Sequence, residues 1–509
     1  MNMVKRISIA ICLLFAFLVN ISAQEMPPAP GAPKAVSVPA IKTKTLANGL
    51  TVAVVERKGV PLVAVKLMIN AGVTSDDMKT AGLANMSMSM LTKGTITRNA
   101  TKIANDIEFL GGSVDTAVGM DNSGVSMSTT TDKLAAGLSI LSDVVLHPTF
   151  PAKELTLLKS QAIDELAANL KQPSFLAGYV ASAYSFYLTP AGGTPESLKA
   201  MSRKDVLGFY RDNFTPDSAT LIFVGDITTD KAFSMAESQF GKWGKPKVLL
   251  MAPETEPVME ITQSAASVSE NKKREADQPL LKRLLVIDLP NSGQAAVSFV
   301  KHMPYVGHVV WNEENKAGDI SKNYFPGVVF NTVLGGGYSS RLNLEIRIKR
   351  GLSYGAGSSM SWRAYDSRFS ARAQTKNESA AQVAELVLTE LSKLAKTEVD
   401  TPELTARQAV VVGNFGRGIE TNAGMLGAIS DLFANWLDAS ELDSYMQNVQ
   451  SVDAKKVREF ASQNLNGGDL ILVGDYSIFK DDLAKRFPKI KVQVIKAADL
   501  DLSKDSLQK

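Results

Sequence analysis

One pattern occurs twice in this chain and limits what it can fold into: a helix-like segment, a few polar residues, and a buried strand that ends in Val-Gly-Asp. The first copy runs from Phe209 to Leu221–Asp226, and the second runs from Phe460 to Leu470–Asp475. The two strands start about 249 positions apart, which is the size of a domain and well beyond a short repeat of roughly 20–50 residues. Short apolar segments ending in Gly-Asp also arise by chance, so the argument depends on the shared helix–strand context. The repeat predicts two similar α+β halves.

Chain length and a change of composition in mid-chain support the same division. A chain of 509 residues exceeds what one hydrophobic core usually organises. The stretch from about Pro246 to Gln278 contains further prolines, then a polar, charged and aperiodic run, which is typical of an interdomain linker. We therefore predict an N-terminal domain at residues 41–244, a linker at 245–282 and a C-terminal domain at 283–496.

The N-terminus has the three-part layout of a secretory signal peptide. Lys5 and Arg6 precede an apolar run over residues 7–19, and Ala23 ends a small-residue cleavage site before Gln24. We assign residues 1–23 to a signal peptide and residues 24–40, rich in Pro and Ala, to an unstructured leader. The alternative is an uncleaved anchor, which the short apolar run disfavours. The prediction is a protein exported to the periplasm or the extracellular space.

Cysteine usage and charge exclude several classes of protein. Cys12 is the only cysteine and lies inside the signal segment, so the mature chain has neither a disulfide framework nor a cysteine zinc site. The formal net charge is +3, without the clustered basic residues of a nucleic-acid binder. No other segment is apolar enough to cross a bilayer. We therefore expect no nucleic-acid partner and no stable membrane span after signal cleavage.

Residues 81–95 carry the first motif, Ala-Gly-Leu-Ala-Asn-Met-Ser-Met-Ser-Met-Leu-Thr-Lys-Gly-Thr. This frame closely resembles the helix that carries the inverted zinc motif, H-x-x-E-H, in the pitrilysin/insulinase/mitochondrial processing peptidase family. The resemblance implies that Asn85 and Ser89 stand where that family has two zinc-binding histidines, and that Met88 replaces the glutamate that activates the bound water. Methionine is no base, and amide and hydroxyl groups are poor zinc ligands beside imidazole. We predict that this chain has lost its zinc site and carries no metal of its own.

No other residues offer a replacement metal site. The family's third ligand is a glutamate on a downstream helix, and Glu165 occupies that kind of position, but without its histidine partners we interpret it as an ordinary helix carboxylate. The three histidines, His147, His302 and His308, are not paired with acids at helical spacing. They are best interpreted as hydrogen-bonded or solvent-facing side chains. A self-contained zinc hydrolase is therefore not predicted.

Residues 335–354 carry the second motif, Gly-Gly-Gly-Tyr-Ser-Ser-Arg-Leu-Asn-Leu-Glu-Ile-Arg-Ile-Lys-Arg-Gly-Leu-Ser-Tyr. The three glycines follow an apolar run and are expected to end a helix in a turn that only glycine adopts easily. Ser339 or Ser340 is expected to cap the next helix, and Gly351 to end it. A glycine run also raises the question of phosphate binding, but no Walker lysine is in register.

The whole string closely resembles the signature of the C-terminal half of the same family, Gly-Gly-Gly-x-x-Ser-Arg-Leu through Arg-x-x-x-Gly-Leu-x-Tyr. In that family an arginine and a tyrosine seven residues apart reach the bound peptide near the scissile bond, and by motif position these are Arg347 and Tyr354. A guanidinium and a phenol can both donate to a carbonyl or to a developing oxyanion. The alternative is that Arg347 lies in a surface ion pair and Tyr354 in the core.

The resemblance extends from Asn48 to Asp475 and is weakest in the linker and the C-terminal tail. It implies an α+β fold of two homologous halves, each a mainly antiparallel sheet covered by helices, enclosing a cavity. In some members of the family, one subunit carries H-x-x-E-H and the other carries the Arg/Tyr pair.

These implications lead to two hypotheses about function. The first is a non-catalytic, substrate-binding subunit of a two-subunit zinc peptidase that cleaves peptides, in which the partner subunit supplies the zinc. The alternative is a stand-alone peptide-binding or scaffold protein with an inactive peptidase fold.

Overall fold

The computed structural model describes residues 38–244, 278–304, 306–312, 317–364 and 366–509. The predicted signal peptide, all but the end of the predicted leader, and residues 245–277 of the predicted linker lie outside the described residues. Those assignments stay predictions.

The described residues form fourteen β-strands, and all but one of them contain Val, Ile or Thr, which favour strands. The strands are β1 Lys42–Thr45, β2 Thr51–Glu56, β3 Leu62–Ile69, β4 Ser113–Val118, β5 Ser123–Thr130, β6 Ala219–Gly225, β7 Leu281–Asp288, β8 Ala295–Met303, β9 Val309–Asn312, β10 Ala317–Ile320, β11 Ser353–Trp362, β12 Ser367–Thr375, β13 Gly468–Gly474 and β14 Val492–Lys496.

Twelve of these strands make two six-stranded sheets with matching topology. The first sheet has the order β1-β2-β6-β3-β5-β4 and the second has the order β11-β12-β8-β13-β7-β14. Read from its other edge, the second sheet repeats the first in five of its six strands. The remaining edge strands differ, because β1 pairs antiparallel with β2 whereas β14 pairs in parallel with β7. The strands that end in Val-Gly-Asp, β6 and β13, hold equivalent central places, and every residue in them is buried. Each pairs in parallel with the first long strand of its half and antiparallel with the next. The two homologous halves predicted from the repeat are confirmed.

Fifteen α-helices cover these sheets within the described residues. They are α1 Leu83–Met90, α2 Ala100–Phe109, α3 Leu134–Leu146, α4 Ala152–Asn169, α5 Pro173–Tyr184, α6 Pro195–Ala200, α7 Arg203–Asn213, α8 Thr229–Phe240, α9 Tyr324–Leu334, α10 Ala380–Lys396, α11 Thr401–Ile419, α12 Asn422–Ala434, α13 Ser440–Gln450, α14 Ala454–Asn464 and α15 Tyr476–Arg486. A short π-helix spans Asn343–Ile348. In the part of the chain that the structure describes, none of the helices has the length and apolar character needed to span a membrane.

Helix α5 belongs to the first half in sequence but packs on the sheet of the second half. Pro173 starts the helix, where its missing N–H costs nothing. Leu176, Ala177, Val180 and Ala181 then share one helical face, and all four are buried in a cluster with strands of the second sheet. Their small side chains allow the helix to lie close to the sheet.

Helix α12 makes the reciprocal contact, because it belongs to the second half and packs on β3 and β6 of the first sheet. Polar contacts hold its start in place: the Asn422 side-chain amide donates to the carbonyl of Leu62 at 3.0 Å, and the Arg57 guanidinium donates to the carbonyls of Ile419 and Glu420 at 2.7 Å each. Residues 38–509 therefore belong to one compact unit, in which each half completes the core of the other.

Leu176→Ala should destabilise the fold by about 2–5 kcal/mol, because Leu176 is 1% exposed and its loss leaves a cavity between the halves. Urea denaturation followed by circular dichroism measures the change. Leu157→Ala is the matched control, since Leu157 on α4 is 52% exposed, and it should change stability by less than about 0.5 kcal/mol. Equal effects of the two substitutions would contradict the packing of α5 on the second sheet.

Candidate functional site

Helix α1, which carries the first motif, is anchored by a buried carboxylate. Asp76 accepts hydrogen bonds from the backbone N–H groups of Gly82 and Ala84, both at 3.1 Å. Burial raises the pKa of Asp76 to about 7, although these N–H groups oppose the shift. Gly82 adopts a positive φ of 87° just before the helix, and a Cβ there would lie 3.0 Å from the backbone of Gly193. The start of α1 is therefore fixed against the loop that precedes α6.

A cleft of about 310 Å³ lies between α1 and α4. Asn85 and Ser89, one helical turn apart on α1, line it together with Glu165 of α4. The Asn85 side-chain amide donates to the carbonyl of Ala191 at 2.5 Å. The other lining residues are Gly82, Met86, Leu158, Gln161, Ala162, Leu166, Asn169, Phe175, Gly192 and Leu198. The structure thus brings together three of the four first-half positions singled out in the sequence.

Met88 does not join them. It is 1% exposed and packs in the core of the first half, so it neither lines the cleft nor offers a polar group. Asn85 and Ser89 present a neutral amide and a hydroxyl, and Glu165 adds one carboxylate. Zinc is usually held by imidazole, thiolate or several carboxylates, which this set does not provide. Among the described residues, no group of three or more His, Cys, Asp or Glu is placed to hold a metal ion.

The three histidines lie apart from one another. The imidazole of His147 is 3.3 Å from Asp143, four residues earlier on α3, so the expectation that no histidine is paired with an acid at helical spacing is wrong for His147. The imidazole of His302 is 3.1 Å from Asp366. His308 stacks on the ring of Tyr324.

The second motif builds a rigid support for two accessible side chains. Ser340, Leu342 and Ile346 are completely buried, and the Arg341 guanidinium forms an ion pair with Glu403 of α11 at 2.7 Å. These contacts fix the π-helix against the long helix of the second half. π-Helices are rare and are often found at functional sites.

Arg347 and Tyr354 lie on either side of the turn at Gly351, which ends the helix with a φ of 62°, as expected. Tyr354 is 90% exposed at the start of β11, so the alternative that places it in the core is wrong. Arg347 is half-buried, and its guanidinium carbon lies 5.2 Å from the ring centroid of Tyr338, which is itself 68% exposed. No ion pair is found for Arg347 within the described ranges. The motif therefore presents an exposed phenol and a half-buried guanidinium that lies against the ring of Tyr338.

Two details of this motif differ from expectation. The glycine run does not need a left-handed turn, since Gly335 has an extended φ of −152°. Glycine is required there by close approach, because a Cβ at Gly335 would lie 2.1 Å from the backbone nitrogen of Ser358. Neither serine caps the next helix: the Ser339 hydroxyl accepts from Arg407, and the buried Ser340 hydroxyl has no partner among the described residues.

The second motif contributes no residue to the described lining of the cleft between α1 and α4. Every described residue that lines the cleft belongs to the first half, whereas Arg347 and Tyr354 belong to the second.

Two further features of the site were not predicted from the sequence. Asp76 stands six residues before Gly82 without a recognisable capping pattern, and Tyr338 occupies a variable position of the second motif.

The duplicated α+β halves, each a six-stranded sheet covered by helices, define a peptidase-like fold. The family model described as Insulinase (Peptidase family M16) matches residues 51–185, and the one described as Peptidase M16 inactive domain matches residues 200–410. The chain belongs to the insulinase family, peptidase family M16.

Relatives and solved structures agree with this membership. An uncharacterised zinc protease of Mycobacterium leprae is 23% identical over 83% of this chain and 88% of its own length. The β subunit of the mitochondrial-processing peptidase of Caenorhabditis elegans is 25% identical over 41% of this chain and 46% of its own length. The peptidase M16 inactive domain from Pseudomonas fluorescens has a similar fold, with a TM-score of 0.69 and 21% identity over 85% of this chain and 98% of that one. A protease from Helicobacter pylori superposes with a TM-score of 0.74 at 18% identity, over 86% of this chain and all of that one.

Proposed function

We propose that this chain is the non-catalytic, substrate-binding subunit of a two-subunit zinc peptidase. In this proposal, Arg347 and Tyr354 bind the peptide near the bond to be cleaved. The zinc, two histidines and the catalytic glutamate come from a partner subunit of the same family. The chain alone would bind peptides without cleaving them.

The observation that carries the proposal is the exposure of Tyr354. A tyrosine that is 90% exposed contributes little to folding, yet here it ends a motif whose half-buried Arg347 belongs to a helix held by an ion pair and three buried side chains. A fixed arginine and an accessible phenol are suited to bind a peptide carbonyl and to stabilise the oxyanion that forms when it is attacked.

The dismantled cleft explains why a partner is needed. Asn85, Met88 and Ser89 leave no general base and no imidazole ligand on α1, so this helix does not supply the groups that activate water in a zinc peptidase. A subunit with an intact H-x-x-E-H helix would supply both. In that division of roles, the partner supplies the catalytic helix whose residues are replaced here, and this chain supplies Arg347 and Tyr354.

The proposal includes export, because a signal peptide at residues 1–23 would direct the chain out of the cytoplasm. The partner would then be exported as well.

Affinity purification of the tagged chain from the exported fraction of its native host, followed by mass spectrometry, tests both points. The expected result is an M16 relative that carries H-x-x-E-H, recovered in equal amount, together with mature chains that start at Gln24. Recovery of the chain without any such relative would favour the stand-alone peptide-binding protein. Recovery only from the cytoplasm, with residues 1–23 intact, would contradict export.

A further inference from the structure

A second cavity, of about 430 Å³, lies in the second half and occupies the place that the cleft has in the first half. The cleft lies between α1 and α4, and this cavity lies between α9 and α11. In the order of elements, α9 corresponds to α1 and α11 to α4, and the helix that follows each pair, α5 or α12, packs on the sheet of the other half. Every fourth residue of one face of α9 lines the cavity, namely Tyr324, Val328 and Thr332. In the same way, Asn85 and Ser89, four residues apart on α1, line the cleft. We call it the aromatic cavity.

Two pairs of stacked rings line the aromatic cavity. The rings of His308 and Tyr324 are 3.9 Å apart between centroids and 14° from parallel, and those of Phe415 and Tyr445 are 4.3 Å apart and 17° from parallel. The ring of Phe325 joins the two pairs, because its centroid lies 5.1 Å from that of Tyr324 and 5.5 Å from that of Tyr445. The walls are therefore held in place without a ligand, as in preformed small-molecule sites.

Among the described residues that line the cavity, two carry carboxylates, Asp431 and Glu441, and none is a lysine or an arginine. Glu441 has no ion-pair partner within the described residues. Burial raises its pKa, and the neighbouring Asp319 and Asp438 raise it further. Desolvation by the surrounding protein also raises the pKa of Asp431, although this side chain is still in contact with solvent. The positive charge of Lys66, in the first half, acts in the opposite direction and lowers that pKa.

No lining residue within the described ranges supplies a positive charge at neutral pH. Burial lowers the pKa of His308 to about 4, so its ring is neutral above that pH. Lys66 acts on Asp431 from β3 and is not part of the lining, and burial lowers the pKa of its own amine. Excess negative charge beside aromatic walls attracts cations and repels anions.

From this geometry and charge we propose that the aromatic cavity binds a small organic cation, an amine or quaternary ammonium carried on an apolar body. The apolar body would lie against the aromatic and aliphatic walls, and the cationic group would lie near Asp431 and Glu441. The volume falls within the range of about 300–1,000 Å³ that is usual for small-molecule sites. This site would act independently of Arg347 and Tyr354, and no partner subunit is needed to form it.

Three probes that share a phenylethyl body and differ in charge test the proposal on the full mature chain at pH 7.5. They are phenethylamine, 2-phenylethanol and phenylacetate, and saturation-transfer NMR with titration gives their affinities. We expect the amine to bind roughly tenfold more tightly than the alcohol, and phenylacetate to bind more weakly than both. Equal affinities, or no binding of the amine at millimolar concentration, would overturn the proposal.

The double variant Asp431→Asn/Glu441→Gln keeps the shape of both side chains while removing their charge. It should weaken the amine roughly fivefold or more and leave 2-phenylethanol within about twofold of wild type. Asp164→Asn is the matched control, because Asp164 is an exposed carboxylate on α4 outside the cavity, and it should change neither. Unchanged amine binding in the folded double variant would contradict the proposal. If that variant does not fold, the ranking of the three probes on the wild-type chain decides the question.

Discussion

Tyr354→Phe and Arg347→Ala are each expected to slow peptide cleavage by the complete two-subunit peptidase about a hundredfold or more. Hydrogen bonds to charge that develops in a transition state are worth roughly 2.7–4 kcal/mol in well-studied oxyanion sites. Tyr354→Phe removes only one hydroxyl, and Arg347→Ala removes the guanidinium while leaving the ion pair between Arg341 and Glu403 in place. The measurement is kcat/KM for a fluorogenic peptide with purified wild-type or variant complexes.

Stability and assembly should change little, because the Tyr354 side chain is 90% exposed and the cation–π contact of Arg347 with the exposed ring of Tyr338 is worth about 0.5–1 kcal/mol. Tyr187→Phe is the matched control, since Tyr187 is 70% exposed and stands outside the motif. It should leave both the rate and the melting temperature unchanged. If the double variant Arg347→Ala/Tyr354→Phe cleaved peptide as fast as wild type, the motif would have a structural role only.

The double variant Asn85→His/Ser89→His is expected to bind one zinc ion per chain, whereas the wild-type chain should hold none after dialysis. Positions 85 and 89 are one helical turn apart and face the cleft that Glu165 also lines. Two imidazoles and this carboxylate would give the three protein ligands that are usual in a catalytic zinc site. The hydrogen bond from Asn85 to Ala191 would be lost, at a cost of about 1 kcal/mol. Elemental analysis by mass spectrometry measures the zinc content.

Adding Glu165→Gln to the two-histidine variant is the control, because it removes the third ligand while keeping the size of the side chain. The zinc content should then fall well below one ion per chain. The two-histidine variant should bind zinc without cleaving peptide, since position 88 still holds methionine. A two-histidine variant that holds no zinc would show that Asn85, Ser89 and Glu165 no longer converge as metal ligands do.

Much of the fold could be predicted from local sequence. The helix and strand before each Val-Gly-Asp are α7 with β6 and α14 with β13, and both strands are apolar runs buried along their whole length. Such runs depend on burial rather than on distant partners, so a single sequence is enough to find them. The packing of α5 and α12, each on the sheet of the other half, could not be predicted in this way. The apolar face of α5 shows that it is buried, but it does not show against which sheet.

The candidate site shows the same division. Arg347 and Tyr354 were found because the motif around them is continuous in sequence, and the convergence of Asn85, Ser89 and Glu165 was implied only by the resemblance. The aromatic cavity left no signal, because Tyr324, Phe415 and Tyr445 are scattered over three separate helices. Likewise, we expected glycine at position 335 because glycine adopts backbone angles that other residues avoid. What requires glycine there is the backbone of Ser358, which is distant in sequence but in close contact in the fold.

The exchange of helices also sets an order of events in folding. The buried face of α5 is synthesised long before its partners, since Ile471 and Val473 of β13 lie in the same cluster, and so do Leu502 and Leu507 near the C-terminus. Contacts between residues so far apart in the chain form slowly, because a long loop must close before burial can offset its entropy. The first half therefore keeps an exposed apolar helix until the last strand and the tail have emerged. This chain reaches its native state only as a whole, and a chain cut short before Leu502 would leave that helix only partly covered.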